Sequence, residues 1–337
     1  MAFAERPLKI ISLLMLSLMA EPVFSQHEKI DAAKFTYEEY YDAPYDINKL
    51  FIHIQPLYGE LFVTNVNIGF GLEVNYYLRD KFDFSAQARR AYTRSFDFER
   101  NVASKSSSVD NIPQVYNYFE AGATYHVIDR EHDTETKIIL YSDSFKGNKW
   151  ASRIPEYVKV PSKVRKITGA RLGGLVYNST TDLNRALSAQ GISLKNDSEN
   201  PIDPQANIFG NVDVMGFYLG GSMAWIKNFA IKPDKGYGIL SNDLIFTSYF
   251  DVLFAPSVKV EDVIYQDQIF SSKPIKVNKM GFRLGMNGKF NREFSWGYGA
   301  EIGYRPGVQG RGFFTNVKFS LPIFGTDLIK RQDASSK

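Results

Sequence analysis

Six charged residues stand out because each sits alone among glycine, serine, asparagine and tyrosine: Glu73, Glu120, Arg171, Arg283, Glu301 and Lys318. Three carboxylates and three cations spread in this way have two uses. Facing one another inside a closed wall they pair and fill a polar core. Held apart they line a narrow, weakly selective pore. Catalysis asks for something else, a histidine beside an acid or a serine. Only His27, His53, His126 and His132 are present, and no Asp–His or Ser–His arrangement is written locally. The run His126, Asp129, Glu131, His132, Asp133 has the residue types to hold a divalent ion but no diagnostic ligand spacing, and such clusters more often make a solvated turn. Asn196–Asp203 offers oxygens without matching the twelve-residue calcium loop, and its Asn-Pro and Asp-Pro steps mark turns. The expectation is therefore no catalytic residue, no metal site and no cofactor.

The elements that must position the six charges are strands. Between Val66 and Leu78 every even position is apolar, while the odd ones are polar or glycine except Tyr77. A period of two gives one oily and one wet face. Its thirteen residues far exceed the usual five or six, so the strand is built to cross something thick. Similar alternation runs through Phe82–Ala88, Phe119–Val127, Val164–Val176, Met215–Trp225, Phe246–Phe254, Met280–Phe290, Phe294–Tyr304 and Phe313–Ile323. A weaker stretch, Leu50–Leu57, brings the count to ten, the even number that leaves both chain ends on one side. Short turns (Arg79–Lys81, Asn291–Glu293) then alternate with longer loops (Glu99–Pro113, Ser179–Asn211, Pro256–Asn278), and Tyr58–Glu60 and Arg305–Gly310 are brief connectors. Asp129–Ser162 breaks this asymmetry as an insert, and Thr136–Tyr141 within it could raise the count to twelve. Arg89–Arg90 is awkward, since one of the pair must face outward unless a bulge intervenes. Glycines on the wet face, such as Gly69 and Gly71, make room for facing side chains rather than cradling phosphate.

Composition narrows the setting. A net charge of +3 with no basic stripe argues against nucleic acid. Residues 10–20 form an eleven-residue apolar run, right for a signal-peptide core and too short to span a bilayer. With no cysteine a lipid-anchored N-terminus is not expected, and no later run approaches the length of a spanning helix. A soluble sandwich would also alternate, with its oily face inward. These strands are longer than a sandwich needs, and their polar face is rich in Gly, Asn, Ser and Tyr instead of dense Lys and Glu. Tyr76, Trp225, Trp296 and Tyr304 fall near strand ends, where aromatic girdles sit.

On these features the chain resembles the small Gram-negative outer-membrane β-barrel proteins, over roughly Leu50 to Phe324. The resemblance is one of class, carried by the export signal, the alternation and the Gly/aromatic texture. It differs in its end: many such proteins finish on an aromatic residue, whereas residues 325–337 follow Phe324 here. The expected fold is all-β, an antiparallel up-and-down transmembrane barrel of about ten strands. The expected order is a signal peptide at 1–25, an acidic, Tyr-rich periplasmic tail or plug at 26–49, the barrel at 50–324 with an insert at 129–162, and a polar tail at 325–337. The expected role is non-enzymatic, as a scaffold or a narrow pore in the outer membrane, with a rim-sited protease or lipid-modifying enzyme as the alternative. Expected partners are outer-membrane lipid, the barrel-assembly machinery and a periplasmic or secretion-machine protein.

Overall fold

The computed structural model describes residues 28–29, 36–63, 65–78, 81–94, 108–141, 155–234, 238–292 and 295–325. The expected signal-peptide core, residues 142–154 of the expected insert and the polar tail beyond Gly325 lie outside the described residues. Ten antiparallel strands follow one another as a meander: β1 Leu50–Phe62, β2 Asn65–Leu78, β3 Phe82–Arg94, β4 Val115–Tyr141, β5 Pro155–Asp182, β6 Phe209–Ile226, β7 Leu244–Val260, β8 Met280–Phe290, β9 Gly297–Tyr304 and β10 Phe313–Gly325. Each pairs with its sequence neighbour and β10 pairs with β1, so the sheet closes. Closure removes every sheet edge, which matters because an unpaired edge in lipid leaves backbone donors and acceptors without partners.

Register turns the sequence period into two surfaces. In β5 to β9 the row Arg171, Gly220, Asp251, Arg283, Gly303 points inward. Residues one step along each strand point outward: Leu172, Leu219, Phe250, Phe282, Leu284 and, elsewhere in the ring, Ile68, Phe70, Phe119 and Val317 are exposed. A contiguous belt of bare large apolar side chains is uncommon on a protein solvated by water and is what a lipid-facing wall needs.

Two sequence expectations are corrected here. Of Asp129–Ser162, residues 129–141 continue β4 and residues 155–162 belong to β5, which reach 27 and 28 residues; residues 142–154 lie outside the described residues. Thr136–Tyr141 is thus the end of β4, and the ring has ten members rather than twelve. Tyr58–Glu60 is not a loop either. A bulge in β1 between Gln55 and Tyr58 shifts the register and carries the strand on to Phe62. Pro56 lies in that bulge, where its missing N–H costs no ladder bond.

The chain divides into two compact units. The larger holds the barrel. The smaller gathers residues 134–162, which include the distal halves of β4 and β5, with residues 230–242 and the chain before Tyr41. A three-stranded sheet joins Leu240–Asn242, Phe229–Pro233 and Tyr37–Asp42, so part of the expected tail is ordered strand. Among the described residues no helix is long and apolar enough to cross a membrane.

Both ends of the barrel are covered within the larger unit. At the far end the chain after β5 turns into a helix, α1 Leu183–Gln190. Asp182 caps it by accepting from the Arg185 N–H, and Gly191 at φ 66° ends it in the left-handed conformation. Leu183, Ala186 and Leu187 pack with Leu194, Ile202, Phe209, Val263 and Phe270 into one apolar cluster. Ser179–Asn211 and Pro256–Asn278, expected as open loops, therefore interlock as a cap. At the near end, where β1 begins, residues 43–48 form a strap. Asn228 Nδ2 donates to the Ala43 and Asp46 carbonyls at 3.1 and 2.6 Å, and the Asn48 N–H donates to Asn291 Oδ1 at 2.9 Å. Ile47 from the strap packs with Phe51, Ile167, Ile226 and Ile245.

Candidate functional site: the lumenal ion-pair core

A ten-stranded ring is narrow, so inward side chains meet across it. All six charges singled out above, Glu73, Glu120, Arg171, Arg283, Glu301 and Lys318, sit on inward positions, and each has an opposite charge in reach. Arg283 on β8 binds Glu120 on β4 through two parallel N–H···O bonds of 2.5 and 2.6 Å, four places round the ring. Its Nε donates to Asp251 Oδ2 at 2.8 Å, and the other Asp251 oxygen accepts from Arg171 Nε at 3.0 Å. Tyr118 donates to Glu120 at 2.5 Å and Gln87 donates to it at 3.0 Å. The flat guanidinium groups lie against aromatic faces, Arg283 at 4.6 Å from the Tyr218 ring centre and Arg171 at 4.0 Å from that of Tyr249.

A second bridge runs from β3 to β9, also four places apart. Arg89 donates to Glu301 at 2.9 Å and to Gln87 at 2.7 Å, while Tyr249 donates to the same Glu301 oxygen at 3.1 Å. Towards the far end, Arg305 reaches Glu60 and Tyr116, each at 2.8 Å. Towards the near end, Lys318 donates to Glu73 at 2.7 Å, with Gln55 and Asn75 completing that carboxylate at 3.1 and 3.0 Å. Arg283 is 1 % exposed and Asp251 0 %, so both are packed among other side chains inside the barrel.

Glycines make this packing fit. Tyr218 lies over Gly122 and Gly173, and a methyl group on Gly173 would stand 2.5 Å from its ring carbon. Charged, bidentate pairs of this kind carry strong geometric preference. Their net stabilisation is modest because both ions lose water, yet removing one partner leaves a buried charge alone.

Four further charges, Asp251, Arg89, Glu60 and Arg305, join the six in the lumen. Asp251 and Arg89 were within reach of parity: Asp251 lies between outward Phe250 and Val252, and Arg89 is two from inward Gln87. The Arg89–Arg90 difficulty resolves without a bulge at the pair, Arg89 being buried inward and Arg90 exposed outward. Glu60 and Arg305 were hidden because the β1 bulge broke the alternation and Arg305 follows the last residue of β9. The His126–Asp133 run also resolves into pairs. His126 Nε2 lies 3.1 Å from Asp83, Asp129 is bound by Arg165, and Glu131 pairs with Lys163 at 3.0 Å. Among the described residues no group of three or more acids and histidines is placed to hold a metal.

No family model and no curated protein matches the chain. Among solved structures it is similar to the crystal structure of the P. putida toluene transporter TodX, at 10% identity over 82% of this chain and 88% of that one, with a TM-score of 0.22. A likeness that slight adds nothing to what the strands and their closure establish, and the site rests on its own geometry.

Proposed function

We propose that this chain is a Gram-negative outer-membrane barrel, exported through a cleaved signal peptide, that acts without catalysis as a closed, partner-binding scaffold of the envelope rather than as a pore. The exposed apolar belt and the closed sheet support membrane placement. One observation carries the choice of scaffold over pore: the Glu120–Arg283–Asp251 and Arg89–Glu301 bridges fill the lumen from opposite walls. A conducting pore needs a continuous wet path. Outer-membrane lipid and the barrel-assembly machinery are the obligatory partners of such a wall. A periplasmic or secretion-machine protein fits the distal parts of β4 and β5, since those strands outrun the roughly nine to eleven residues of a crossing.

Planar-bilayer recording of the purified, refolded chain tests this. Wild type should give a silent membrane, and stepwise conductance from wild type would overturn the closed scaffold in favour of the pore. Heat-modifiable gel migration and recovery with outer membranes test the placement itself. Recovery as a soluble monomer without detergent would refute it.

A further inference from the structure

Between the strap and the central ion-pair core lies a lumenal cavity of about 70 Å³. Hydroxyls from Ser85, Thr124, Ser222, Thr247 and Ser320 line it, together with His53 and Lys289. Four of its charges are answered by partners already described: Lys318 and Glu73 by each other, Arg171 by Asp251, Glu120 by Arg283. Asp83, a fifth, faces His126.

Lys289 differs. Its ammonium group rests against two ring faces, 4.6 Å from the centre of Phe51 and 5.0 Å from that of Tyr77, and among the described residues it has no ion pair. Glu73 in the same cavity is taken by Lys318 at 2.7 Å, and Asp83 lies 3.1 Å from His126. The second sign is independent. His53, 2 % exposed and lining the same cavity, holds its Nε2 in the interior with no hydrogen-bond partner. A buried ring nitrogen without a partner is uncommon in folded proteins and calls for an explanation.

We propose that this cavity is a binding site for a small oxyanion, a carboxylate or a phosphate. Lys289 supplies the charge, and His53, in the tautomer that carries hydrogen on Nε2, supplies a directed donor. The serine and threonine hydroxyls complete the shell without adding charge. Lys289, whose ammonium makes no ion pair among the described residues, sets the sign of the ligand, and the aromatic faces beneath it hold it in place. Ile47 of the strap packs on Ile167 and Ile245 of the cavity wall, so the strap covers the site. This site stands whether or not the barrel serves as a scaffold.

The test uses the full chain refolded in a zwitterionic detergent and titrated calorimetrically with inorganic phosphate and, separately, sodium acetate, at constant ionic strength. Saturable binding of either anion at one site per chain is expected. Lys289→Met should weaken it about tenfold or more, the loss of one charge-assisted hydrogen bond. His53→Phe should weaken it too, and Lys259→Met, an exposed change on β7, should leave it unaltered. If Lys289→Met does not fold, Lys289→Gln makes the same comparison. A parallel arm with short-chain phosphatidic acid separates sources: binding of that lipid alone assigns the oxyanion to a headgroup, whereas binding of the free anions assigns it to a solute. No saturable binding in any arm, or equal binding by wild type and the Lys289 variants, overturns the proposal.

Discussion

Replacing Arg283 by Met tests whether the lumen is held shut by ion pairs that cannot hydrate. Met keeps much of the side-chain volume and removes the charge. Four charge-assisted bonds go with it, two to Glu120, one to Asp251 and one to the Tyr118 hydroxyl. The two carboxylates do not suffer equally. Asp251 keeps Arg171, whereas Glu120 keeps only the neutral donors Tyr118 and Gln87. One carboxylate is thus left buried without a counter-charge, for which the expected cost is about 3–5 kcal/mol rather than twice that. Adding Glu120→Gln removes the orphaned charge, and Gln still accepts from Tyr118. The double variant should recover most of the loss, a coupling of about 2–3 kcal/mol. Urea unfolding in detergent micelles or lipid vesicles, followed by tryptophan fluorescence, measures all three proteins. The reasoning fails if Arg283→Met costs under about 1 kcal/mol, the size expected of a solvated pair. It fails equally if the double variant is no more stable than the single.

Leu219→Arg, on the exposed outer face halfway along β6, should cost about 2–4 kcal/mol in bilayers, read by the same unfolding assay, since a cation at mid-depth must be drawn into lipid. Gly173→Ala should cost about 1–3 kcal/mol by overpacking against Tyr218, and a variant as stable as wild type would show that the ring has room to move. Asn291→Ala removes the acceptor of the Asn48 N–H, so amide exchange at residues 43–48 should quicken by about tenfold while the barrel amides stay protected. Screens for peptide or lipid turnover should be silent, and reproducible turnover lost on substitution of a far-end residue would restore the enzyme alternative.

Most of the wall was legible in the sequence because a strand's period is local. Each residue's side follows from its neighbour's, so Val66–Leu78 orients itself without knowledge of any partner strand. Where the period is interrupted, legibility stops. The bulge at Pro56 concealed that β1 continues and that Glu60 is inward. Arg305, one residue past β9, could not be told from a loop cation. The distal halves of β4 and β5 mix polar and apolar residues without a clean alternation, so the period does not mark them as strand.

By itself the sequence determined that charges such as Glu120 and Arg283 lie on the wet face of long strands and that the opposite face is oily. Which charge meets which is a property of closure. Glu120 and Arg283 are separated by 163 positions in the chain, and only the ring brings their strands to opposite walls of one lumen. Whether the six charges line a passage or fill it turns on distances of a few ångströms across that lumen. Coulombic attraction and desolvation both change steeply over that range, and no spacing along the chain encodes it.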